Sequence, residues 1–172
     1  MEKVYKSPAQ VRNLSHEELA DLASKLARRP PLWRNLVSHH PDHRVYERLY
    51  EDDQVSVWLI CWMRDHDTGF HDHDLSAGAV AVVRGQVREE RLALGGSPSV
   101  RTFGAGESFG FAASYIHRVL HEGTEPAVTI HAYSPPLARM GAYAIRPDGV
   151  LARHSVSPEE ELRPLAPAAA RL

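Results

Sequence analysis

Apolar positions recur along this chain at two different periods. In the stretch NLSHEELADLASKLARR, residues 13 to 29, Leu19, Leu22, Ala23 and Leu26 return every three or four residues, which is the apolar stripe of a helix. Ser15 followed three residues later by Glu18 forms a capping box, and Leu14 and Leu19 are spaced as a hydrophobic staple. Pro30 and Pro31 stop the pattern. After His43 the character changes to short β-rich runs: RVYERLY, QVSVWLICWM, GAVAVVRG, QVREERLAL, SVRTFGAG, HRVLHEG, AVTIHAYS, GAYAIRP and VLARHSV, with Gly, Pro, Asp or Asn nearby. In VVRGQVREE, Gly85 supplies a positive φ for a tight hairpin turn between Val83 and Val87. Many short strands in succession predict an all-β sandwich or barrel.

The expected organisation is one domain over residues 1–172: a helical segment at 1–42, a β-barrel at 43–157, and a loosely held tail at 158–172, where Pro and Ala accumulate in RPLAPAAARL. A chain of 172 residues is long enough to bury a real core, and 43% hydrophobic with 24% charged residues is a globular balance. The longest apolar runs, such as AGAVAVV, are far too short for a bilayer span. The opening MEKVYKSPAQVRN has no apolar stretch after its charges, so no secretory leader is expected and a cytoplasmic location is. One cysteine, Cys61, excludes an internal disulfide framework and a zinc site of several thiolates, and is expected to be an inert core residue. A net charge of -2 with scattered arginines excludes a nucleic-acid-binding role. A monomer is expected, with the N-terminal helices covering exposed strand edges.

Histidine is the residue that demands a local explanation. Of 11 in the chain, His66, His71, His73, His117, His121 and His131 fall in the central segment. Residues two apart on a strand share a face, so His71 and His73 in FHDHD can present both imidazoles to one point, and neutral imidazole ligates Fe, Zn, Cu or Ni. An isolated HxH pair is more often two solvated or hydrogen-bonded side chains. Two later strands change the balance, since IHRVLHEG and TIHAYSPP each carry a histidine among apolar neighbours, and a buried imidazole needs a partner.

These segments resemble the cysteine dioxygenase family of cupin-fold thiol dioxygenases. GFHDHDLSAGAVAVVRGQVREERL is similar to the family's first metal motif. HRVLHEGTEPAVTIHAYSPPL matches its metal-binding His-Arg-Val, its Thr-Glu-Pro-Ala-Val run, its alternating hydroxyl, His and Tyr, and its Ser-Pro-Pro close. VYERLY with LICWM resembles the substrate-arginine strand and its neighbour, and the likeness spans roughly residues 10 to 155. It implies a mainly β fold, a cupin double-stranded β-helix with an N-terminal helical segment. It further implies one Fe(II) per chain on His71, His73 and His117, a relay of Tyr133, His131 and Thr129 behind the metal, and Arg48 as the grip on the substrate carboxylate. Tyr46, Trp62 and Met140 are implied as pocket residues. An ordinary core role is the competing reading for Tyr46 and for Trp62, and Met140 stands where animal members have a cysteine.

Two departures from the wider pattern are informative. Leu75, Ser76, Ala77 and Gly78 follow the HxH pair where many cupins place a glutamate ligand, so no carboxylate ligand is available there, which supports the three-histidine set that the resemblance implies. Animal members join a cysteine at the position of Gly78 to the tyrosine, and Gly78 has no sulfur for such a crosslink to Tyr133. The resemblance implies oxidation of L-cysteine by O2 to cysteine sulfinic acid. Alternatives are dioxygenation of 3-mercaptopropionate or cysteamine, a non-catalytic metal- or small-molecule-binding cupin, or another metal such as Ni or Zn, because three histidines do not select iron by themselves.

Overall fold

Ser15 caps a twelve-residue helix as its sequence dictates. The helix α1 (His16–Ala27) carries the full capping box, with the Ser15 side chain accepting from the Glu18 backbone and Glu18 reaching back to Ser15, and it ends at Arg28. Two single 3-10 turns follow at Pro30–Leu32 and Arg34–Leu36, where the two prolines remove the backbone donors a continued helix would need. The computed structural model describes residues 12–93, 97–146 and 148–165. No described helix is long and apolar enough to cross a membrane.

Among the described residues, eleven strands make two sheets. They are β1 (Val45–Glu51), β2 (Ser56–Trp62), β3 (His71–Asp72), β4 (Ala77–Arg84), β5 (Gln86–Arg91), β6 (Ser99–Gly104), β7 (Ser108–Phe111), β8 (His117–Glu122), β9 (Ala127–Ser134), β10 (Met140–Ile145) and β11 (Leu151–Val156). One sheet runs β1-β2-β9-β4-β7 and the other β11-β10-β3-β8-β5-β6. The expected hairpin is present: β4 and β5 meet at Gly85, whose φ is +70°. One strand, β7, escapes the sequence reading because SFGF is too short to show a period, and the strand expected at HDH is shorter than its alternation requires, since β3 ends at Asp72.

Strand β9 explains how the layers stack. All eight of its residues are buried, because one face turns inward and the other is covered by α1. Leu19 and Ala23 of α1 pack with Val57, Leu59, Cys61, Ala79, Ala81, Val128, Ile130 and Ala132 on the outer face of the five-stranded sheet. Cys61 therefore sits in this core, 1% exposed, and burial raises its thiol pKa, which keeps it protonated and unreactive. The helix covers a sheet face rather than the strand edges expected from sequence, because its apolar stripe is broad enough to need a surface and not a line.

Between the sheets lies a second cluster of Trp62, Val80, Val82, Val87, Phe103, Phe109, Phe111, Val119, Ala127 and Tyr133. The expectation of a loose tail from residue 158 is corrected for residues 158–165. Arg44 and Arg163 tie this segment down, with the Arg44 backbone N–H donating to Glu161 (2.8 Å) and Arg163 donating to the Asp42 carbonyl (3.0 Å). Leu162 is buried against Met140 and Ala142. Residues 166–172 of that expectation lie outside the described residues.

Candidate metal centre

Strand pairing brings the first two imidazoles together. His71 on β3 stands directly opposite His117 on β8. Asp72 between His71 and His73 faces the other way, where Arg153 (2.7 and 2.8 Å) and the Tyr143 hydroxyl (2.6 Å) donate to its carboxylate. Burial works against that charge, yet these bonds hold Asp72 at about 2. Anchoring Asp72 outward turns His71 and His73 inward. One ligand atom from each of His71, His73 and His117 lies within 4.8 Å of the others, and all three side chains are buried.

The surroundings of the three rings differ. His71 Nδ1 is hydrogen-bonded to the Gly69 carbonyl (3.0 Å), and His117 Nδ1 to the Glu89 carboxylate (2.9 Å), which leaves Nε2 of each to ligate. His73 Nδ1 is buried with no hydrogen-bond partner among the described residues. Burial pushes all three imidazoles well below their usual pKa; neighbouring imidazoles add to this at His71 and His73, and His117 falls to about 3. Burial drives Glu89 the opposite way, to about 7. Three neutral nitrogen donors that converge in a dry site suit a first-row divalent metal, and partners such as Gly69 and Glu89 fix the ring tautomers such a site requires. The donor set fits a bound metal.

Across the barrel, β9 presents the other half of the site. Thr129, His131 and Tyr133 lie on its inner face, and Tyr133 approaches His73 with ring centroids 5.0 Å apart. Trp62 Nε1 donates to Thr129 Oγ1 (2.8 Å), since an indole can only donate. The Thr129 proton has the His131 Nε2 at 2.9 Å and the Ile60 carbonyl at a longer 3.4 Å, so it goes to the imidazole. His131 then keeps its proton on Nδ1, which donates to the Tyr133 hydroxyl oxygen (3.1 Å). Burial lowers His131 to about 3 and raises Tyr133 well above its usual value, so the imidazole is neutral and the phenol keeps its proton. The chain of donors leaves the Tyr133 O–H free to point into the cavity.

These histidines give stability a definite pH dependence. His71, His73, His117 and His131 all have folded pKa values depressed below the unfolded value of 6.5. The unfolded chain therefore binds more protons, and the stability these groups contribute is present above pH 6.5 and lost as pH falls from there toward 3. For the metal-free protein, the free energy of unfolding from urea titrations is expected to drop steeply between about pH 6.5 and 5, by up to ~1.4 kcal/mol per pH unit for each histidine. A flat profile in that window, read by circular dichroism, would contradict the buried neutral cluster.

Gly78 shapes the same wall. It stands opposite Tyr133 on one side and Phe111 on the other. A Cβ at this position would lie 2.9 Å from Tyr133 Cδ1 and collide with the Phe111 ring. Phe111 in turn stacks on His73 (4.8 Å) and packs against His117 (4.5 Å). The space a crosslinking side chain would need is filled by an aromatic ring. Gly78→Ala is expected to destabilise the protein by about 1–3 kcal/mol through overpacking, measured by thermal melting.

The cavity between the two halves measures ≈ 70 Å³, enough for about five water-sized groups and too small for a polymer. Tyr46, Trp62, Met140, His71, His73, His117, His131 and Tyr133 all line it, and Thr129 sits just behind His131. Arg48 is not brought to it. Its side chain is 48% exposed, lies over the Trp58 ring at 5.2 Å and pairs with Glu51 (2.8 Å). Strand alternation gives residues 44, 46 and 48 one face; Arg48 is still in register with Trp58, just before a bulge that separates it from Tyr50, and it does not line the cavity. Arg44, which sequence reasoning passed over, lines the cavity instead, as do Phe111 and Glu161. The same two-residue period through Arg44 and Tyr46 could have found it.

The comparisons agree with this geometry. The family model for cysteine dioxygenase type I matches residues 9–146. A cysteine dioxygenase type 1 from Danio rerio is 26% identical over 137 residues, covering 72% of this chain and 67% of the relative. Among solved structures, a cupin superfamily protein from Desulfitobacterium hafniense DCB-2 aligns with a TM-score of 0.52 at 13% identity, over 73% of this chain and 98% of the other. An uncharacterized conserved protein with a double-stranded β-helix domain from Klebsiella pneumoniae aligns at 0.52 and 14% identity, over 70% and 91%. Those two likenesses establish the cupin fold, and the family match extends over most of the sequence that builds both halves of the cavity: this chain belongs to the cysteine dioxygenase type I family.

Proposed function

We propose that this chain is an iron(II) thiol dioxygenase that converts L-cysteine and O2 to cysteine sulfinic acid in the cytoplasm, acting as a monomer. The observation that carries the reading is the facing of three buried neutral histidines, His71, His73 and His117, by a Tyr133 hydroxyl within one small cavity. Family membership supports the reaction class, since the relative's name specifies cysteine dioxygenase.

His71, His73 and His117 would hold the metal. They bring no charge of their own, so a dication there stays dipositive and favours an anionic thiolate over a neutral ligand. When bound, iron(II) supplies the redox chemistry by which both atoms of O2 are added to the substrate sulfur. The protein contributes position and protons. Glu89 fixes the His117 ring, Trp62 and Thr129 fix His131, and His131 orients Tyr133 so that its O–H can donate toward the reacting sulfur or oxygen. The apolar wall of Phe111, Ile60 and Val119 limits water, which strengthens each of those polar contacts.

The test is oxygen uptake by iron(II)-loaded protein with L-cysteine, with product identified by mass spectrometry. One O2 consumed per cysteine sulfinate formed is expected. Absence of sulfinate, with faster oxidation of cysteamine or 3-mercaptopropionate, would reassign the substrate. Metal analysis of protein purified without added metal checks the iron assignment, and a stoichiometric content of nickel or zinc would overturn it.

A further inference from the structure

The three imidazoles of the centre are not held alike. His71 and His117 each have a ring nitrogen engaged outside the centre, by the Gly69 carbonyl at 3.0 Å and by the Glu89 carboxylate at 2.9 Å. His73 has no such anchor, since its Nδ1 is buried without a hydrogen-bond partner among the described residues. A ligand ring serves a metal only when its side-chain torsions are locked by its surroundings. For His73 that lock has to come from packing. Phe111 lies 4.8 Å from His73 with the two planes 27° apart, a stacked arrangement, and 4.5 Å from His117.

A glycine makes this contact possible. Phe111 on β7, Gly78 on β4 and Tyr133 on β9 stand in one row across the five-stranded sheet, so all three positions share a face. Gly78 puts no side chain there, and a Cβ would run into Cε2 and Cζ of the Phe111 ring. The bare backbone leaves room for the ring to lean across the row toward the histidines. Phe111 is 2% exposed, with the Tyr133 ring at 6.4 Å and the Tyr115 ring at 5.9 Å. One confined ring thus meets two of the three histidines and borders the tyrosine that faces them.

We propose that Phe111 is a positioning residue of the metal centre, whose ring, seated on Gly78, holds by stacking the His73 imidazole that no hydrogen bond at Nδ1 anchors. The inference rests on the reading of His71, His73 and His117 as metal ligands. Gly69 and Glu89 direct their imidazoles through hydrogen bonds, and Phe111 directs His73 through the plane of its ring. Its contact with His117 ties two of the ligand rings to one another. A leucine in its place would fill much of the volume and offer no plane against which an imidazole can align.

Cobalt(II) is the probe, because it accepts imidazole ligands and its visible absorption reports their geometry. Its dissociation constant is measured by competition with a chelating dye, and the spectrum of the loaded protein is recorded alongside. Phe111→Leu is expected to bind cobalt(II) about tenfold more weakly than the native protein, with visible bands that differ from the native ones. Phe109→Leu is the control. Phe109 belongs to the same core cluster and packs on Phe103 at 4.3 Å, but its contact with the centre is an edge approach to His117 at 6.4 Å. It should lose comparable thermal stability while keeping the native spectrum and an affinity within about threefold of native. Gly78→Ala crowds the Phe111 ring and leaves every side chain of the centre in place, so it should also weaken cobalt(II) several-fold, and it carries the test if Phe111→Leu does not fold. Native affinity and spectrum in Phe111→Leu, or equal losses of affinity in the two phenylalanine variants, overturn the inference. Failure of the native protein to bind cobalt(II) overturns the three-histidine centre and the inference with it. Phe111-dependent cobalt(II) binding in a protein whose iron(II) form takes up no oxygen with thiols would leave the positioning role standing and remove the dioxygenase reading.

Discussion

Alanine at position 73 is expected to strip the chain of its metal. His73 is 1% exposed and sits with a ligand atom within 4.8 Å of those of His71 and His117. Removing a hydrogen-bonding partner of a ligand typically weakens metal binding by about 10–100-fold, and removing the ligand itself exceeds that range. His73→Ala should therefore fall from about one metal per chain to a trace after dialysis against a mild chelator, and oxygen uptake should fall with it. The fold should persist, because His73 Nδ1 makes no hydrogen bond that the core needs. Its ring does stack on Phe111, so a cavity penalty of a few kcal/mol is the expected cost. Retention of stoichiometric metal in this variant, measured by plasma mass spectrometry, would remove the three-histidine site.

The second large effect belongs to Tyr133. Tyr133→Phe is expected to lower kcat for thiol oxidation by about 10²-fold, the lower range for a positioned proton donor, while metal content stays near that of the native protein. The KM for the thiol should change little, because the ring and its contact with Phe111 remain. The lost hydroxyl leaves His131 Nδ1 without its acceptor in a buried place, at a cost of about 1–3 kcal/mol in stability. A fall in melting temperature with unchanged kcat would make Tyr133 a packing residue only. A parallel measurement on Thr129→Val should show a weaker kinetic loss, since Thr129 acts on the phenol through His131.

Much of the molecule is legible in local pattern. The capping box at Ser15 and Glu18, the stop at the proline pair and the turn at Gly85 are each decided by a few neighbouring residues, and all three appear where the pattern places them. The histidines of the centre are legible for a related reason. His71 and His73 share a face by alternation, and the burial of His117 and His131 follows from their apolar neighbours.

What the pattern hides is set by long-range geometry. Arg44 and Arg48 are indistinguishable in a strand whose alternation gives them one face, and only the folded chain shows that Arg44 lines the cavity while Arg48 lies over the Trp58 ring and pairs with Glu51. Glu89 looks like one more charge in QVREER, yet pairing between β5 and β8 brings it against His117. Phe111 lies in a run too short for a period, and its role depends on the bare backbone of Gly78 across the sheet. The segment after residue 157 reads as polar and loose because the groups that fix it, Arg44 and Asp42, stand more than a hundred positions earlier in sequence.

That last segment has a consequence for the order in which the protein is made. The metal ligands are all synthesised by residue 117 and the tyrosine relay by residue 133, whereas the wall formed by Pro158, Glu160, Glu161 and Leu162 emerges afterwards. Without that segment the cavity would keep its full set of imidazoles with one side open, and the Arg44 backbone N–H would lose its Glu161 acceptor. A metal would reach the imidazoles through that open side before residues 158–162 fold across it, so loading during synthesis and loading of the finished protein would be different kinetic problems.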